Sequence, residues 1–168
     1  RKYMNPSVSL DPDKPNKLYH HYVLFRYAEI LLNYAEAMNE WKGPDATAEG
    51  CPLSAREALN QVRDCADMKH VTENGTDFTA KVRNERRIEL AFEGHRFYDI
   101  RRWKIAGLDE VRNLYGVKIT KSGTSLSYEK VLLQQMYWND KMYLFPYPQN
   151  EIYMNPDLGQ NPGWSTGN

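Results

Sequence analysis

The sequence predicts a mainly α-helical fold, in which tetratricopeptide-like helix pairs are followed by a small irregular and β-structured C-terminal portion. Apolar residues recur at helical spacing in three segments before residue 104. After Gly107 the pattern changes to short strand-like runs and a proline-rich tail. At 168 residues the chain is long enough for one compact domain with a sizeable core. We therefore divide it into an extended arm over 1–20, a helical scaffold over 22–104, and short strands with a proline-rich tail over 108–168.

The first predicted helix covers residues 22–41. One of its faces is apolar and the opposite face is polar, as expected for a helix that buries one side. Gly43 and Pro44 then end it. The apolar face carries Leu24, Tyr27, Ala28, Leu31, Ala35 and Met38, and the polar face carries Arg26, Glu29, Asn33, Glu36 and Glu40.

The second predicted helix begins after Ser54, in the tetrapeptide SARE. This is a capping box, in which the serine hydroxyl and the Glu57 carboxylate each accept a hydrogen bond from a free backbone N–H group. Apolar residues continue at helical spacing as far as Ala66. Two amphipathic helices joined by a loop form a helical hairpin, which is the basis for the tetratricopeptide-like prediction. The loop 42–53 is long for that repeat.

A third helix is predicted to begin after Thr76 or Asp77 and to continue through ERRIELAFEGHRFYDIRRW, residues 85–103. The tail, 146–164, contains four prolines, too many for regular structure. Its aromatic and aliphatic side chains nevertheless predict that it packs onto the chain. Strands or extended segments are predicted over 116–120, 126–133 and 141–145.

Residues 85–103 contain nine charged side chains and one histidine. On one helix, Glu85, Glu89 and Glu93 would form a column of like charges, which destabilises an isolated helix. Arginines three residues away can neutralise that column through paired hydrogen bonds. We therefore predict a partly buried structural ionic framework, in which removing one partner typically costs ~3–5 kcal/mol. Its members are Glu85, Arg86, Glu89, Glu93, Arg96, Asp99 and Arg102.

The same segment lacks the pattern of an active site. Two carboxylates could serve as the acid and base of a glycoside hydrolase, but nearby arginines lower the pKa of a carboxyl group, whereas a general acid needs it raised. His95 has no second histidine or cysteine three or four residues away, so no metal site is predicted. The sequence also lacks GxSxG, Walker-type and HExxH motifs. We predict a protein that is not an enzyme and that uses no metal or cofactor.

Composition limits the partners. The 22 basic and 22 acidic residues give a formal net charge of zero, and no basic run lacks interleaved acids, which argues against nucleic acid. No apolar run approaches the roughly 18 residues of a membrane-spanning helix. A helix starting near Ser54 would carry Cys65 about 16 Å away from that start, so we expect Cys51 and Cys65 to be free thiols.

Aromatic residues are abundant, with twelve tyrosines and four tryptophans. Trp41, Tyr137 and Trp138 could stack on a sugar, since a flat aromatic face suits the C–H surface of a sugar ring. Packing in the core or between helices is the alternative for each of them. We assign no ligand-binding residue from the sequence.

Four segments occur in one order: RYAEILLNYAEAMNE, REALNQVRD, ERRIELAFEGHRFYDIRRW and YLFPYPQNEIYMNPDLGQNPGW. Together they resemble the C-terminal part of the SusD/RagB family, over residues 22–164. The third and fourth segments are the most specific. One departure is Tyr147, where the family usually has a small aliphatic residue between the two prolines.

The resemblance implies a SusD-like α-helical scaffold and a non-catalytic outer-membrane lipoprotein of Bacteroidetes-type bacteria. Such proteins sit on the cell surface, capture glycans or other nutrients, and act with a SusC-type TonB-dependent transporter. They begin with a lipoprotein signal and a lipidated cysteine, so we expect this sequence to be a C-terminal fragment, with most ligand contacts upstream of it. The alternative is a tetratricopeptide-like protein-interaction scaffold without its own small-molecule ligand, although no second copy of RYAEILLNYAEA is present.

Overall fold

The computed structural model divides the chain into two compact units, residues 1–93 and 94–168. Most of the predicted extended arm lies outside the described residues, and its described residues 11–14 form a turn. No helix among the residues described is long and apolar enough to cross a membrane. The structure describes residues 7–9, 11–14, 16, 23–155 and 157–165.

Among its described residues, the first unit contains three helices: α1 (Tyr27–Lys42), α2 (Ala55–Cys65) and α3 (Gly75–Glu89). α1 packs against both α2 and α3. It begins at Tyr27 rather than at residue 22, because Arg26 has an extended backbone (φ −129°, ψ 158°) and its side chain is bound near the end of α3. A tertiary contact therefore overrides the helix propensity of the preceding residues.

The core of the first unit lies between these three helices. Its largest fully buried side chains are Phe78, Leu32, Leu59 and Val82. Burial of such a side chain contributes about 1.5–3 kcal/mol, so this cluster supplies most of the driving force for folding the unit. The remaining buried members of the cluster are Leu31, Ala35, Met38, Ala55, Ala58, Val62, Val71 and Leu90.

The predicted apolar face of α1 is only partly correct. Leu31, Ala35 and Met38 are buried, whereas Leu24 is 76% exposed and Tyr27 is 70% exposed. Leu24 precedes the helix, which starts at Tyr27, so it is not part of the apolar stripe. Tyr27 lies at the first position of the helix.

The capping box of α2 is confirmed. The Ser54 hydroxyl oxygen accepts from the Glu57 N–H (3.2 Å), and the Glu57 carboxylate accepts from the Ser54 N–H (2.7 Å). Both bonds join residues three apart, which is why the sequence alone predicts them.

The third predicted helix is wrong at both ends. α3 begins at Gly75, after Asn74, and ends at Glu89 instead of continuing to Trp103. It stops because Phe92 and Gly94 have φ values of +66° and +82°, which a right-handed helix excludes. A Cβ atom at Gly94 would meet nothing within 4 Å, so the glycine provides a bend and not a close backbone approach.

The second unit begins with α4 (His95–Arg102) and the short α5 (Asp109–Arg112). An antiparallel hairpin of β1 (Asn113–Ser122) and β2 (Ser125–Gln135) follows. Its turn contains Gly123 at φ +61°. The strands predicted over 116–120 and 126–133 are confirmed.

The strand or extended segment predicted over 141–145 is wrong for its first three residues, because Asp140–Tyr143 form a 3₁₀ helix that is capped by the Asn139 side chain, while Leu144 is extended. The tail is also more regular than predicted. Pro148 precedes the short helix α6 (Gln149–Met154), a place where its missing N–H group costs no helical hydrogen bond. The tail is bound to the rest of the unit, since the Trp164 indole N–H donates to the carbonyls of Lys141 and Leu144 (3.1 Å each).

Replacing a core leucine tests the assignment of the core. We expect Leu59→Ala to lower the free energy of unfolding by about 2–5 kcal/mol, because the cavity lies among buried side chains of three helices. Leu24→Ala is the matched control, and we expect it to cost less than about 0.5 kcal/mol because that side chain is exposed. Urea denaturation followed by circular dichroism measures both, and equal losses would contradict the assignment.

The capping box makes the stability of the first unit depend on pH. The Glu57 pKa lies below its ordinary value of 4.5, chiefly because the carboxylate accepts the Ser54 N–H and hydroxyl hydrogen bonds. Because the Glu57 pKa is lower in the folded state than in the unfolded state, the charged carboxylate stabilises the fold at pH values above the unfolded pKa of about 4.5. This stabilisation is lost as the pH falls from about 4.5 through the folded-state pKa. Wild type should therefore exceed Glu57→Gln in stability at neutral pH, and the difference should vanish in acid. A difference that persists in acid would contradict this role.

Candidate functional site

Arg26, the residue before α1, binds the region where α3 ends. Its Nε atom donates to both oxygens of the Glu93 carboxylate (3.0 and 3.2 Å), and Nη2 donates to Glu93 Oε1 (2.9 Å). Nη2 also donates to the Glu89 carbonyl, and Nη1 pairs with the Glu89 carboxylate, both at 2.8 Å. The bonds to Glu93, and then those to Glu89, raise the pKa of Arg26 against the opposing effect of desolvation. The side chains of Arg26 and Glu93 are 28% and 8% exposed.

Two further charged side chains of α3 bind the neighbouring helices. Arg63 of α2 donates to the buried carboxylate of Glu85, and its Nε atom donates to the Lys69 carbonyl (2.6 Å). Arg86, which is also buried, donates to the side-chain oxygen of Asn33 in α1 (2.6 Å). Part of the polar face of α1 therefore faces α3.

The geometry of the predicted ionic framework differs from the expected single helix. Glu85 and Glu89 lie in α3, but Glu93 lies beyond its end, so the three acids do not form one helical column. Arginines from outside the segment bind all three of them. In α4, the buried Asp99 pairs with Arg102 three residues later (2.9 Å), at the predicted spacing, and Arg96 lies in the first turn.

Sequence reasoning missed Arg26, Arg63 and Asn33, which are partners of this framework among the described residues. Arg26 and Asn33 were visible in the polar stripe of the first helix, but that stripe indicated only amphipathicity. Three glutamates spaced four residues apart repel one another unless cations neutralise them. This repulsion was the signal in the sequence that arginines from elsewhere in the chain would bind them.

The arrangement is suited to joining helices and poorly suited to chemistry on a substrate. Arginine donors occupy oxygens of all three glutamates, and the side chains of Glu85 and Glu93 are each 8% exposed. In the described part of the chain, no group of three or more histidine, cysteine, aspartate or glutamate side chains could hold a metal ion.

The three aromatic candidates differ in their surroundings. Trp41 is 62% exposed, with the Lys42 ammonium 4.6 Å from its ring centroid, and Tyr137 is 72% exposed. Trp138 is half-buried and makes an edge contact with Tyr143, at 4.7 Å between ring centroids. Trp138 therefore packs within the second unit, while the other two rings face outward.

Next to Trp138, the second unit contains an open groove of about 500 Å³. It is formed by Lys104, which comes shortly after the end of α4, by the 3₁₀ helix and by the turn at Pro162–Gly163. Its lining includes Lys104, Asn139, Lys141, Tyr143, Leu144 and Pro162. We refer to these residues as the lysine groove, and it is the candidate ligand site of this unit.

Comparison with known proteins places the chain in a family. The model of the SusD family matches residues 1–164. The chain belongs to the SusD family. It is similar to SusD-like protein P25 of Formosa agariphila, at 28% identity over 98% of this chain and 28% of that protein. SusD-like protein P2 of the same organism is 30% identical over 85% of this chain and 26% of its own length.

A solved structure agrees with the SusD family assignment. The crystal structure of a SusD-like protein from Bacteroides fragilis matches with a TM-score of 0.66 and 38% identity, over 84% of this chain and 25% of that one. The predicted helical SusD-like fold and the family resemblance are thus confirmed. The chain spans about a quarter of the length of the relatives that it matches.

A double-mutant cycle on Arg26 and Glu93 tests whether the ionic framework holds the first unit together. We expect a coupling energy of about 2–3 kcal/mol between Arg26→Ala and Glu93→Ala, below the value for a fully buried pair because Arg26 is 28% exposed. The matched control is the exposed pair Lys118 and Glu129, 3.8 Å apart, for which we expect less than about 1 kcal/mol. Urea unfolding measures both cycles. A coupling for Arg26 and Glu93 no larger than the control would contradict the structural role.

Proposed function

We propose that this chain is part of a non-catalytic, lipid-anchored protein of the outer-membrane surface. In this proposal it binds glycans or related nutrients for uptake through a SusC-type TonB-dependent transporter. Membership of the SusD family carries the proposal, because the resemblance to that family implies nutrient capture at the cell surface for such a transporter.

The geometry of the charged residues supports a binding role over catalysis. The carboxylates that could have served a glycoside hydrolase are engaged by Arg26 and Arg63. The second unit instead offers an open groove with aromatic, amide and ammonium groups, the mixture of apolar surface and few polar groups that small-molecule sites use.

Deleting the gene that encodes this chain tests the proposal in its host. We expect slow growth when one glycan is the sole carbon source, and unchanged growth on the constituent monosaccharides, because capture and import of the oligomer would fail. An affinity tag on the encoded protein should co-purify a TonB-dependent transporter from detergent-solubilised outer membrane. The matched control is a strain with the same tag on an unrelated surface lipoprotein.

Two results would overturn the proposal. One is wild-type growth of the deletion strain on every glycan that the host uses. The other is recovery of the tagged protein without any transporter, from membranes in which the transporter is present.

A further inference from the structure

Two lysines line the groove of the second unit, and both lie over aromatic rings. The Lys104 ammonium is 4.4 Å from the ring centroid of Tyr143, and the Lys141 ammonium is 4.3 Å from that of Trp164. Among the described residues, the lysines that pair with carboxylates are Lys81 and Lys118, so neither groove lysine has its charge neutralised by an acid there. The ammonium groups therefore remain available to an anion.

The groove is held in shape by the tail. Trp164 donates its indole N–H to the carbonyls of Lys141 and Leu144 and so fixes the wall that carries Lys141. Gly163 has φ +82°, and a Cβ atom there would lie 2.8 Å from the Lys141 Cβ. Only glycine permits this approach, which restricts the stem of Lys141. A site whose cations are already ordered loses less entropy when it binds a ligand.

Lys104 has an unusual backbone. Its φ value is +58°, in the left-handed region that residues other than glycine, asparagine and aspartate rarely adopt. Residues held in such conformations are found preferentially at binding and catalytic sites, where the surrounding structure maintains them. The strain is located at one of the two cations of the groove.

The charge and size of the groove indicate the class of ligand. Asp140 also lines it, and its carboxylate accepts the Trp138 indole N–H (3.3 Å), so the two lysines outnumber the acid. A concave surface with excess positive charge attracts anions, and ammonium groups form strong hydrogen bonds with carboxylate or sulfate oxygens. The volume of about 500 Å³ exceeds what an inorganic ion fills and lies within the range of small-molecule sites.

We propose that the lysine groove binds an acidic saccharide. Lys104 and Lys141 pair with the carboxylate of a uronate or with a sulfate ester. The side-chain oxygen of Asn139 accepts the backbone N–H of Lys141 (3.1 Å), so its NH₂ group is the part that donates to a sugar hydroxyl. Leu144 and Pro162 contact the C–H face of the ring. The inference rests on the proposed glycan-binding function and specifies the chemistry of its ligand.

Isothermal titration of the 168-residue chain with three oligosaccharides of equal length tests this inference. The probes are an oligogalacturonate, a sulfated galactan fragment and a neutral malto-oligosaccharide. We expect one or both acidic probes to bind at least about tenfold more tightly than the neutral one, and a tenfold increase in salt to weaken that binding markedly. The uronate and sulfate arms distinguish the two sources of negative charge.

Variants assign the binding to the groove. We expect Lys104→Gln and Lys141→Gln each to weaken binding of the acidic probe by about tenfold, the size of one charge-assisted hydrogen bond, while Lys104→Arg and Lys141→Arg retain most of it. The matched control is Lys130→Gln, since the Lys130 ammonium lies 3.9 Å from the Tyr115 ring centroid but does not line the groove. This control should bind like wild type. Circular dichroism checks that each variant is folded.

Four outcomes overturn the inference. Equal binding of neutral and acidic probes, or unchanged affinity in both glutamine variants, would leave the glycan-binding function standing and remove its acidic specificity. Binding of inorganic sulfate as tight as that of the sulfated probe would show recognition of an anion without a sugar. Absence of binding to all three probes would also overturn it, since every residue of the groove is in this chain, while the growth test judges the proposed function separately.

Discussion

The guanidinium group of Arg26 makes the contacts that hold the ends of two helices together. Arg26 lies 67 residues from Glu93 in the sequence, and it joins the N-terminal end of α1 to the segment that follows the C-terminal end of α3. Its bond to the Glu89 carbonyl satisfies one of the acceptors that the end of a helix leaves without a helical partner. A cation at this place also interacts favourably with the dipole of α3. The backbone on both sides of this contact is non-helical. It is extended at Arg26 and left-handed at Phe92 and Gly94.

The apolar core and the charged contacts have different effects in the first unit. Burial of Phe78, Leu32 and Leu59 favours collapse, but it does so almost regardless of the direction in which the side chains meet. The charged contacts, in contrast, join specific positions on different helices: Arg63 to Glu85, and Arg86 to Asn33. A buried charge left without its partner is costly, so alternative alignments of the three helices are disfavoured. We infer that the ionic framework specifies the arrangement more than it stabilises it.

The features that the sequence predicts are those that depend on near neighbours. The Ser54–Glu57 capping box joins residues three apart, and the strands over 116–120 and 126–133 are short continuous runs, so both are readable from short segments. Partners far apart in the chain are not readable in this way. Arg26 binds Glu93 across 67 residues of sequence, and its extended backbone immediately precedes the late start of α1. The early end of α3 accompanies the left-handed backbone at Phe92 and Gly94. The 3₁₀ helix at Asp140–Tyr143 was missed for a similar reason, since the composition of its segment suits a strand but the carbonyl of Lys141 accepts from Trp164, 23 residues later.

The proline-rich tail shows how a segment with few backbone donors is held in place. Prolines remove backbone donors, so the polar side chains of the tail supply hydrogen bonds in their place. Gln160 binds both the N–H and the carbonyl of Tyr147 (2.8 and 3.1 Å), and Asn161 donates to the Phe145 carbonyl (2.5 Å). Both of these Gln160 bonds are made to the backbone of Tyr147, so they do not depend on which side chain stands at that position. The tail also supports the groove, since the Trp164 indole N–H donates to the carbonyls of Lys141 and Leu144.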